Sequence, residues 1–483
     1  MAKYRCPMCG WIYDEDVESE PFSALEACLL CGTPSSEFFL MEPDEDEAAL
    51  KEIDRVAAAK HPDGHPEPGT DPENPLAVPE ALRRDDPSIR HMGTIHALAE
   101  TGRIADGAMA TDLPLPRWED ILVLGAQLDP MPLQESAPVD LTTVIGPGAQ
   151  RPLVLDGPAF VSHMSFGALS AEAKVALARG ASAAGTAMCS GEGGILPAEQ
   201  DASSRYIFEY APNAYSVTDE NLRAADAVEI KIGQGTKPGM GGHLPGAKVT
   251  EEIARIRGRQ PGDDIVSPST IPGIESPEDL RHLVDELRER SEGAPIGIKI
   301  AAGHIERDIE AAMITRPDFI TLDGRGGATG ASPVMLRDAS SVPTIYALAR
   351  ARRKLDELDP EHRVSLIITG GLRIAADIVK ALAMGADAVA LASASLMALG
   401  CQQYRICGSG RCPMGIATQD PVLRAHLDMD AGAKRVENFY RATFEDLRMF
   451  CRVMGHARVG ELSPGDLVTP NRDISEWCGI AHA

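Results

Sequence analysis

The stretch VSLIITGGLRIAADIVKALAMGADAVALASAS, residues 364–395, decides the fold. It begins with the apolar run SLIIT, breaks at two glycines, continues as an amphipathic helical segment and ends in a second apolar run, DAVAL. Strands that are apolar throughout and joined by a helix predict parallel strands in a sheet buried on both faces. The stretch therefore predicts a strand–helix–strand unit of an α/β fold.

The same unit recurs along the chain between residues 85 and 460. Apolar runs that end in small residues precede helical segments at PLVLDGPAFVSHM, AVEIKIGQG, PIGIKIAAG and DFITLDGRGG. At least six such units favour a closed (β/α)8 TIM barrel over an open sheet. In such barrels the loops after the strands carry the reaction, and the unusual residues of this sequence lie in those loops.

The first 43 residues predict a small metal-binding domain. CPMCG and CLLCG place Cys6, Cys9, Cys28 and Cys31 in two C-x-x-C-G knuckles. A segment this short needs a bound metal to fold, and four cysteines alone do not choose between iron and zinc. We expect an acidic helix and a proline-rich linker over residues 44–84, and a short C-terminal tail over residues 461–483.

Composition narrows the function classes. The net charge of −26 would repel a phosphate backbone, so nucleic acid is not an expected partner. The sequence has no 20-residue apolar run and no apolar signal region, which predicts a cytoplasmic protein without a membrane partner. Ten cysteines in clustered spacings indicate metal or redox chemistry rather than disulfides.

A second cysteine cluster occurs in CQQYRICGSGRCPMG, which contains Cys401, Cys407 and Cys412. Two cysteines would suggest a disulfide and four a closed metal site. Three leave one coordination position open, which suits an iron–sulfur cluster short of one iron or a fourth ligand from elsewhere. The remaining cysteines are expected to be buried as small apolar side chains: Cys189, Cys451 and Cys478.

Two lysines lie inside apolar strands, Lys231 in VEIKIG and Lys299 in GIKI. A buried lysine needs an anionic partner or a changed protonation state, so it usually belongs to a functional site. The N1/O2 edge of a reduced flavin is one such partner. The alternative is a buried stem whose ammonium reaches solvent at the barrel rim.

Glycine-rich strand ends predict one cofactor pocket. At GGLR and ASAS, backbone amides of Gly370, Gly371, Ser393 and Ala394 can hold a phosphate, although ordinary tight turns would give the same pattern. Three further loops, CSGEGG, KIGQGTKPGMGGHLPGAKV and DGRGGATGASP, read singly as surface loops. On the strand ends of one barrel they form one pocket. Their candidate residues are Glu192, Lys231, Gln234, Lys237, His243, Gly324 and Gly327.

A series of long blocks resembles the FMN-binding synthase domain of glutamate synthase. SFGALS, SGEGG, QGTKPGMGGHLPG, GATGASP, GGLR and CQQYRICGSGRCPMGIATQD occur in the family's order within residues 85–460. An unbroken series is far more specific than any single motif. The first forty residues resemble a rubredoxin-type domain, which favours iron there, with a zinc ribbon as the alternative.

The resemblance implies a set of cofactors. Cys401, Cys407 and Cys412 would hold a [3Fe-4S] cluster, for which three thiolates suffice. Lys299 would lie near the isoalloxazine of FMN and Ser165 against the flavin. The full set of FMN-binding residues would be Ser165, Lys299, Gly324, Gly327, Gly370, Gly371, Ser393 and Ala394.

The resemblance also implies an oxidoreductase acting on CH–NH2 donors. Ammonia adds to 2-oxoglutarate, and reduced FMN passes a hydride to the resulting imine to give glutamate. Electrons would come from a donor protein or a separate reductase, and nitrogen from free ammonia or an amidotransferase subunit, in a homo-oligomer. The residues expected to handle substrates are Glu192, Lys231, Gln234, Lys237 and Arg257.

The substrate loop departs from the family's KPGEGGQLPG, because Met240 and His243 replace a carboxylate and an amide. The chain also lacks the family's amidotransferase and glycine-repeat domains, so we expect a stand-alone synthase core. One alternative is an N-methylglutamate synthase-like or other aminating enzyme. Another is an electron-transfer subunit of a larger flavin and iron–sulfur complex. The retained positions implied to bind carboxylates argue against it: Lys231, Gln234, Lys237 and Arg257.

Overall fold

The computed structural model describes residues 3–6, 12–15, 21–28, 33–40, 86, 88–89, 91–102, 106–107, 109–330 and 332–483. The chain divides into two compact units, Met1–Ala105 and Asp106–Ala483. The predicted acidic helix and linker, residues 44–84, lie outside the described residues. No helix among the described residues combines the length and the apolar character that crossing a bilayer requires.

The first unit contains an antiparallel sheet of three short strands, β1 (Lys3–Arg5), β2 (Ile12–Asp14) and β3 (Phe39–Leu40), with β1 in the middle, and the helix α1 (Met92–Thr101). The ring of Tyr4 stacks on that of Phe22 with centroids 3.7 Å apart. Cys6 and Cys28 are buried. Cys9 and Cys31 lie outside the described residues, so the four-cysteine site stays a prediction.

The second unit contains the strands of the barrel and several short hairpin strands. The strands are β4 (Asp106–Gly107), β5 (Leu122–Val123), β6 (Thr143–Ile145), β7 (Leu153–Leu155), β8 (Ala159–Val161), β9 (Met188–Cys189), β10 (Tyr206–Tyr210), β11 (Ala227–Lys231), β12 (His243–Leu244), β13 (Ile265–Val266), β14 (Ile296–Ala301), β15 (Phe319–Asp323), β16 (Ser332–Pro333), β17 (Ser365–Thr369), β18 (Ala388–Leu391), β19 (Leu467–Thr469) and β20 (Ala481–His482).

Helices follow the barrel strands, as the strand–helix pattern predicts. They are α2 (Ala171–Ala183), α3 (Pro197–Asp201), α4 (Asp219–Ala224), α5 (Glu251–Arg257), α6 (Pro277–Arg290), α7 (Ile305–Ile314), α8 (Val334–Ala339), α9 (Thr344–Leu358), α10 (Ala375–Ala383), α11 (Ser393–Leu399), α12 (Pro421–Arg424), α13 (Met429–Met454) and α14 (Arg472–Cys478).

Eight parallel strands close into a barrel in the order β10, β11, β14, β15, β17, β18, β8 and β9. The predicted (β/α)8 barrel is therefore confirmed. β12 and β13 pair antiparallel within the long segment between β11 and β14. Residues 461–483 are ordered, because β19 pairs with both β5 and β20.

The barrel interior is apolar near the amino ends of the strands and polar near their carboxyl ends. Gly297 leaves room for the ring of Phe319, since a Cβ at that glycine would lie 2.1 Å from the ring. Side chains two residues apart on a strand share a face, so Lys299 and Thr321 face the same interior one step nearer the carboxyl ends. Both are at most 1% exposed. The sheet thus carries charged side chains toward its carboxyl end.

Candidate active site

A cavity lies at the carboxyl end of the barrel, where loops after six of the strands converge. Most of the residues that the sequence predicts for the site line it. They are Ser165, Glu192, Gln234, Lys237, Arg257, Lys299, Gly327, Gly370, Gly371, Ser393, Cys401, Cys407 and Cys412.

Three predicted residues do not line the cavity and support it instead. Lys231 forms an ion pair with Glu192, which does line it. Gly324 packs against Thr344, whose Oγ1 would lie 2.4 Å from a Cβ at that glycine. Ala394 is buried in α11 at 3% exposure.

The loops after β8 and β9 are held by buried polar contacts. Ser170 caps α2 and donates from Oγ to the carbonyl of Gly415 at 2.7 Å. The Lys174 ammonium donates to the carbonyl of Ser190 at 2.9 Å and lies 3.0 Å from the Glu199 carboxylate. These contacts fix the loops that carry Ser165 and Glu192.

The loops after β15 and β17 meet closely, which only glycines allow. Gly370 and Gly371 have φ of +112° and +92°, a region that favours glycine. A Cβ at Gly370 would lie 2.5 Å from the Gly324 oxygen, and one at Gly371 3.0 Å from Gly326 Cα. Backbone therefore forms this wall of the cavity, which suits a phosphate group or a planar ring.

Lys299 has a counter-ion from the protein itself. Its Nζ lies 3.1 Å from Oε2 of Glu209 on β10, and both side chains are 1% exposed. Burial opposes the charge of Lys299, but Glu209 and Glu229 outweigh burial and raise its pKa. The sequence predicts an anionic partner for this lysine, and the structure supplies a carboxylate.

His163 extends the charged group beneath the cavity. Its Nε2 forms an ion pair with Glu229, and its Nδ1 lies 3.1 Å from Ser162 Oγ. Burial opposes the imidazolium, but Cys189 and Glu229 raise the pKa of His163 to about 10. Thr321 donates to Glu229 at 2.5 Å. His163 and Lys299 both line the cavity, and each is paired with a buried glutamate.

Glu192 lines the cavity and forms a buried ion pair with Lys231. Burial opposes ionisation of Glu192, but the ion pair and hydrogen bond with Lys231 outweigh burial and lower its pKa. Gly242 lies so close that a Cβ there would be 2.5 Å from the Glu192 carboxylate. The substrate loop therefore packs directly on this carboxylate.

Arg257, at the end of α5, is 7% exposed and lines the cavity. Its Nη2 donates to the carbonyl of Phe166 at 2.6 Å, and its guanidinium lies over the ring of Tyr215 at 5.5 Å. Its buried Nε has no hydrogen-bond partner, and no carboxylate lies within 4 Å in the described chain. A buried cation that forms no ion pair with a protein carboxylate suits an anionic ligand.

The two departures in the substrate loop lie in different places. His243 lines the cavity, and its Nε2 is 3.5 Å from Asp264 Oδ2. Met240 is 38% exposed and is absent from the cavity wall. Of the two, only His243 is placed to contact a ligand.

The three clustered cysteines line the same cavity. Burial, together with Cys401 and Cys412, raises the pKa of Cys407, so the three thiols interact. Among the described residues, the one trio of metal-binding atoms all within 4.8 Å of one another is His163, Cys189 and Glu209.

The other cysteines lie away from that loop. Cys189 and Cys451 are fully buried, as expected, and Cys189 contacts the His163 group. Cys478 is only partly buried and has its Sγ 3.9 Å from the Ile345 carbonyl.

Sequence reasoning missed Glu209 and Glu229, which pair with cavity residues, and Lys248, which lines the cavity. Glu209 and Glu229 lie in apolar strands, the same signal that marked the lysines. Lys248 gave no signal because lysine in a loop is ordinarily exposed. In the structure it is 6% exposed and lines the cavity.

A (β/α)8 barrel with three cysteines in the wall of its strand-end cavity suits redox chemistry. The family profile described as "Conserved region in glutamate synthase" matches residues 91–457. The chain belongs to the glutamate synthase family. It is an oxidoreductase of the group that acts on CH–NH2 donors.

Relatives from three lineages match most of the chain. "Archaeal-type glutamate synthase [NADPH]" of Thermotoga neapolitana is 37% identical over 390 residues, 76% of each chain. "Archaeal glutamate synthase [NADPH]" of Methanocaldococcus jannaschii is 39% identical over 342 residues, 70% of this chain and 65% of that one. "Glutamate synthase large subunit-like protein" of Rhizobium meliloti is 34% identical over 395 residues, 78% and 89%.

Proposed function

We propose that the protein is a glutamate synthase that depends on FMN and an iron–sulfur cluster and reduces the imine of 2-oxoglutarate and ammonia. The observation that carries this proposal is Arg257, a buried guanidinium in the cavity with no carboxylate partner in the described chain. An anionic substrate completes its surroundings. A 2-oxo acid supplies the required carboxylate.

The cofactor residues fit FMN. The glycine wall at Gly370 and Gly371, with Ser393, would hold the phosphate, and Lys299 would offer a fixed cation to the ring. When bound, FMN supplies hydride transfer and accepts electrons one at a time. Glu209 keeps Lys299 charged, so that an ammonium remains available to an anionic ring edge.

The substrate residues bind and orient. Arg257 and Lys237 hold carboxylate oxygens, and Gln234 adds a hydrogen bond from the same cavity wall. Glu192, ionised beside Lys231, receives the ammonia and accepts a proton from its nitrogen. His243 stands where the family has an amide, so a related 2-oxo acid with a different side chain is a second candidate substrate.

Electrons reach this site from a separate donor. Cys401, Cys407 and Cys412 would hold a [3Fe-4S] cluster, and the four N-terminal cysteines would hold an iron, both of which supply one-electron chemistry. The synthase domain spans residues 85–460 in this proposal. Ammonia comes free or from an amidotransferase subunit.

Isotope transfer tests the proposal. The purified protein is reduced under anaerobic conditions and mixed with 2-oxoglutarate and 15N-ammonium. The glutamate that forms is measured by mass spectrometry. We expect 15N-glutamate in proportion to bound flavin, and none when either compound is omitted. Absence of labelled glutamate in protein that contains flavin and iron would overturn the proposal. Parallel reactions with other 2-oxo acids identify the preferred substrate.

A further inference from the structure

Lys231, Lys299 and Lys248 are among the buried lysines at the catalytic end of the barrel, and the first two carry their own counter-ions. Lys231 pairs with Glu192, and Lys299 pairs with Glu209. Lys248 has no carboxylate within 4 Å in the part of the chain that the structure describes. A buried ammonium without an anion is costly, so Lys248 marks the place of an anion that the chain does not supply.

The contacts of Lys248 point to the cysteine loop. Its Nζ donates to the carbonyl of Cys407 at 3.2 Å and lies 3.5 Å from the carbonyl of Ala168. Its stem packs near Gly410, where a Cβ would be 3.4 Å from Lys248 Cγ. The ammonium is therefore held against the segment between the second and third clustered cysteines.

We propose that Lys248 is the counter-ion of the iron–sulfur cluster held by Cys401, Cys407 and Cys412, and that its positive charge favours the reduced cluster. The inference rests on the proposed function, because it needs that cluster. Three thiolates make the cluster anionic, and one-electron reduction adds a further negative charge. A fixed cation in a desolvated site stabilises the more negative state more strongly.

Lys248 also connects the cluster to the substrate loop. The residue lies in the short helical turn Gly246–Lys248, which ends the glycine-rich loop after β11. Lys237 and His243 line the cavity from that same loop. Lys248 thus acts as a positioning residue that ties the substrate loop to the cysteine loop while it neutralises the cluster.

A redox titration followed by electron paramagnetic resonance tests the proposal on the complete protein. Lys248→Gln keeps a hydrogen-bond donor and removes the charge, whereas Lys248→Arg keeps the charge. Lys380→Gln is the matched control, since Lys380 is also buried and donates to a carbonyl, that of Trp118 at 2.8 Å, but does not line the cavity. The readout is the midpoint potential of the cluster, independent of turnover.

We expect Lys248→Gln to lower the equilibrium constant for cluster reduction at least tenfold, which is about 59 mV for a one-electron couple. Lys248→Arg and Lys380→Gln should stay near the wild-type potential. A Lys248→Gln protein with a full cluster and an unchanged potential would overturn the inference and leave Lys248 as a clamp between loops.

Loss of the cluster is also informative. If Lys248→Gln loses it and Lys248→Arg retains it, the charge is required and the inference stands. If both variants lose it, shape rather than charge matters, and the inference fails. If wild-type protein holds no such cluster, the cofactor assignment under the proposed function fails, which is a different result from an unshifted potential.

Discussion

The cations of the barrel strands and the cations of the strand-end loops are neutralised in different ways. Lys231 and Lys299 lie on neighbouring strands in register, and each contacts a glutamate. Arg257 and Lys248 lie beyond the strands, are equally buried, and have no carboxylate within 4 Å in the described chain. The two strand lysines are thus neutralised by carboxylates of the protein, whereas these two loop cations can be neutralised by anionic ligands. This difference in pairing distinguishes cations that stabilise the site from cations that bind ligands.

The largest expected effect is on a strand lysine. Lys299→Met leaves Glu209 buried without its ammonium, and breaking such a buried pair costs about 3–5 kcal/mol. Denaturant unfolding should show a free energy of unfolding lower by that amount. The double variant Lys299→Met with Glu209→Gln should recover much of the loss. A free energy of unfolding within about 1 kcal/mol of wild type for the single variant is the size expected of an exposed pair. That result would contradict the role of Lys299 as a buried, paired cation.

A loop cation should behave in the opposite way. Arg257→Met leaves no buried carboxylate without an ion-pair partner, so the free energy of unfolding should change little. The KM for 2-oxoglutarate should rise about 100-fold, or about 2.7 kcal/mol of lost binding. Arg255→Met, exposed in the last turn of the same helix, is the matched control and should leave KM unchanged. An equal rise in both variants would argue against a carboxylate site at Arg257.

A smaller effect on substrate preference is expected from two residues of the substrate loop, His243 and Met240. His243→Gln restores the family's amide at a residue that lines the cavity, and Met240→Glu restores the family's carboxylate at one that does not. We expect His243→Gln to change the preference between 2-oxo acids by up to about tenfold, the size of one rearranged polar contact. Met240→Glu should change it less. The reverse order, from competition assays with paired substrates, would show that the loop rearranges when substrate binds.

The smallest effect belongs to a surface pair, Glu306 with Arg350, whose two hydrogen bonds are 2.7 and 2.6 Å long. The hydrogen bond from Arg350 lowers the pKa of Glu306 from 4.5 to about 2. Because the folded-state pKa is depressed, this stabilisation is present above pH 4.5 and disappears as the pH falls toward 2.

The Glu306 side chain is 41% exposed, so screening limits the effect to about 0.5–1 kcal/mol. Glu306→Gln should therefore lower the unfolding free energy by that amount at neutral pH and match wild type near pH 2. A loss that persists at low pH would trace to packing of the side chain rather than to its charge.

The repeated apolar runs and helical segments predicted the barrel. Both strand lysines were predicted because a charged residue inside an apolar run is unusual. Glu209, the partner of Lys299, was missed, because that pairing depends on how strands meet in the closed sheet. Lys248 was missed for another reason. A loop has no periodicity, so nothing in the local pattern tells a buried loop lysine from an exposed one.

The most direct test of the account follows flavin absorbance in photoreduced protein without oxygen, as 2-oxoglutarate and ammonium are added singly and together. We predict that the flavin is reoxidised only when both are present. Pyruvate with ammonium should be slower, because it lacks the second carboxylate. A flavin that stays reduced with 2-oxoglutarate and ammonium, yet passes its electrons to an artificial acceptor, would contradict the account.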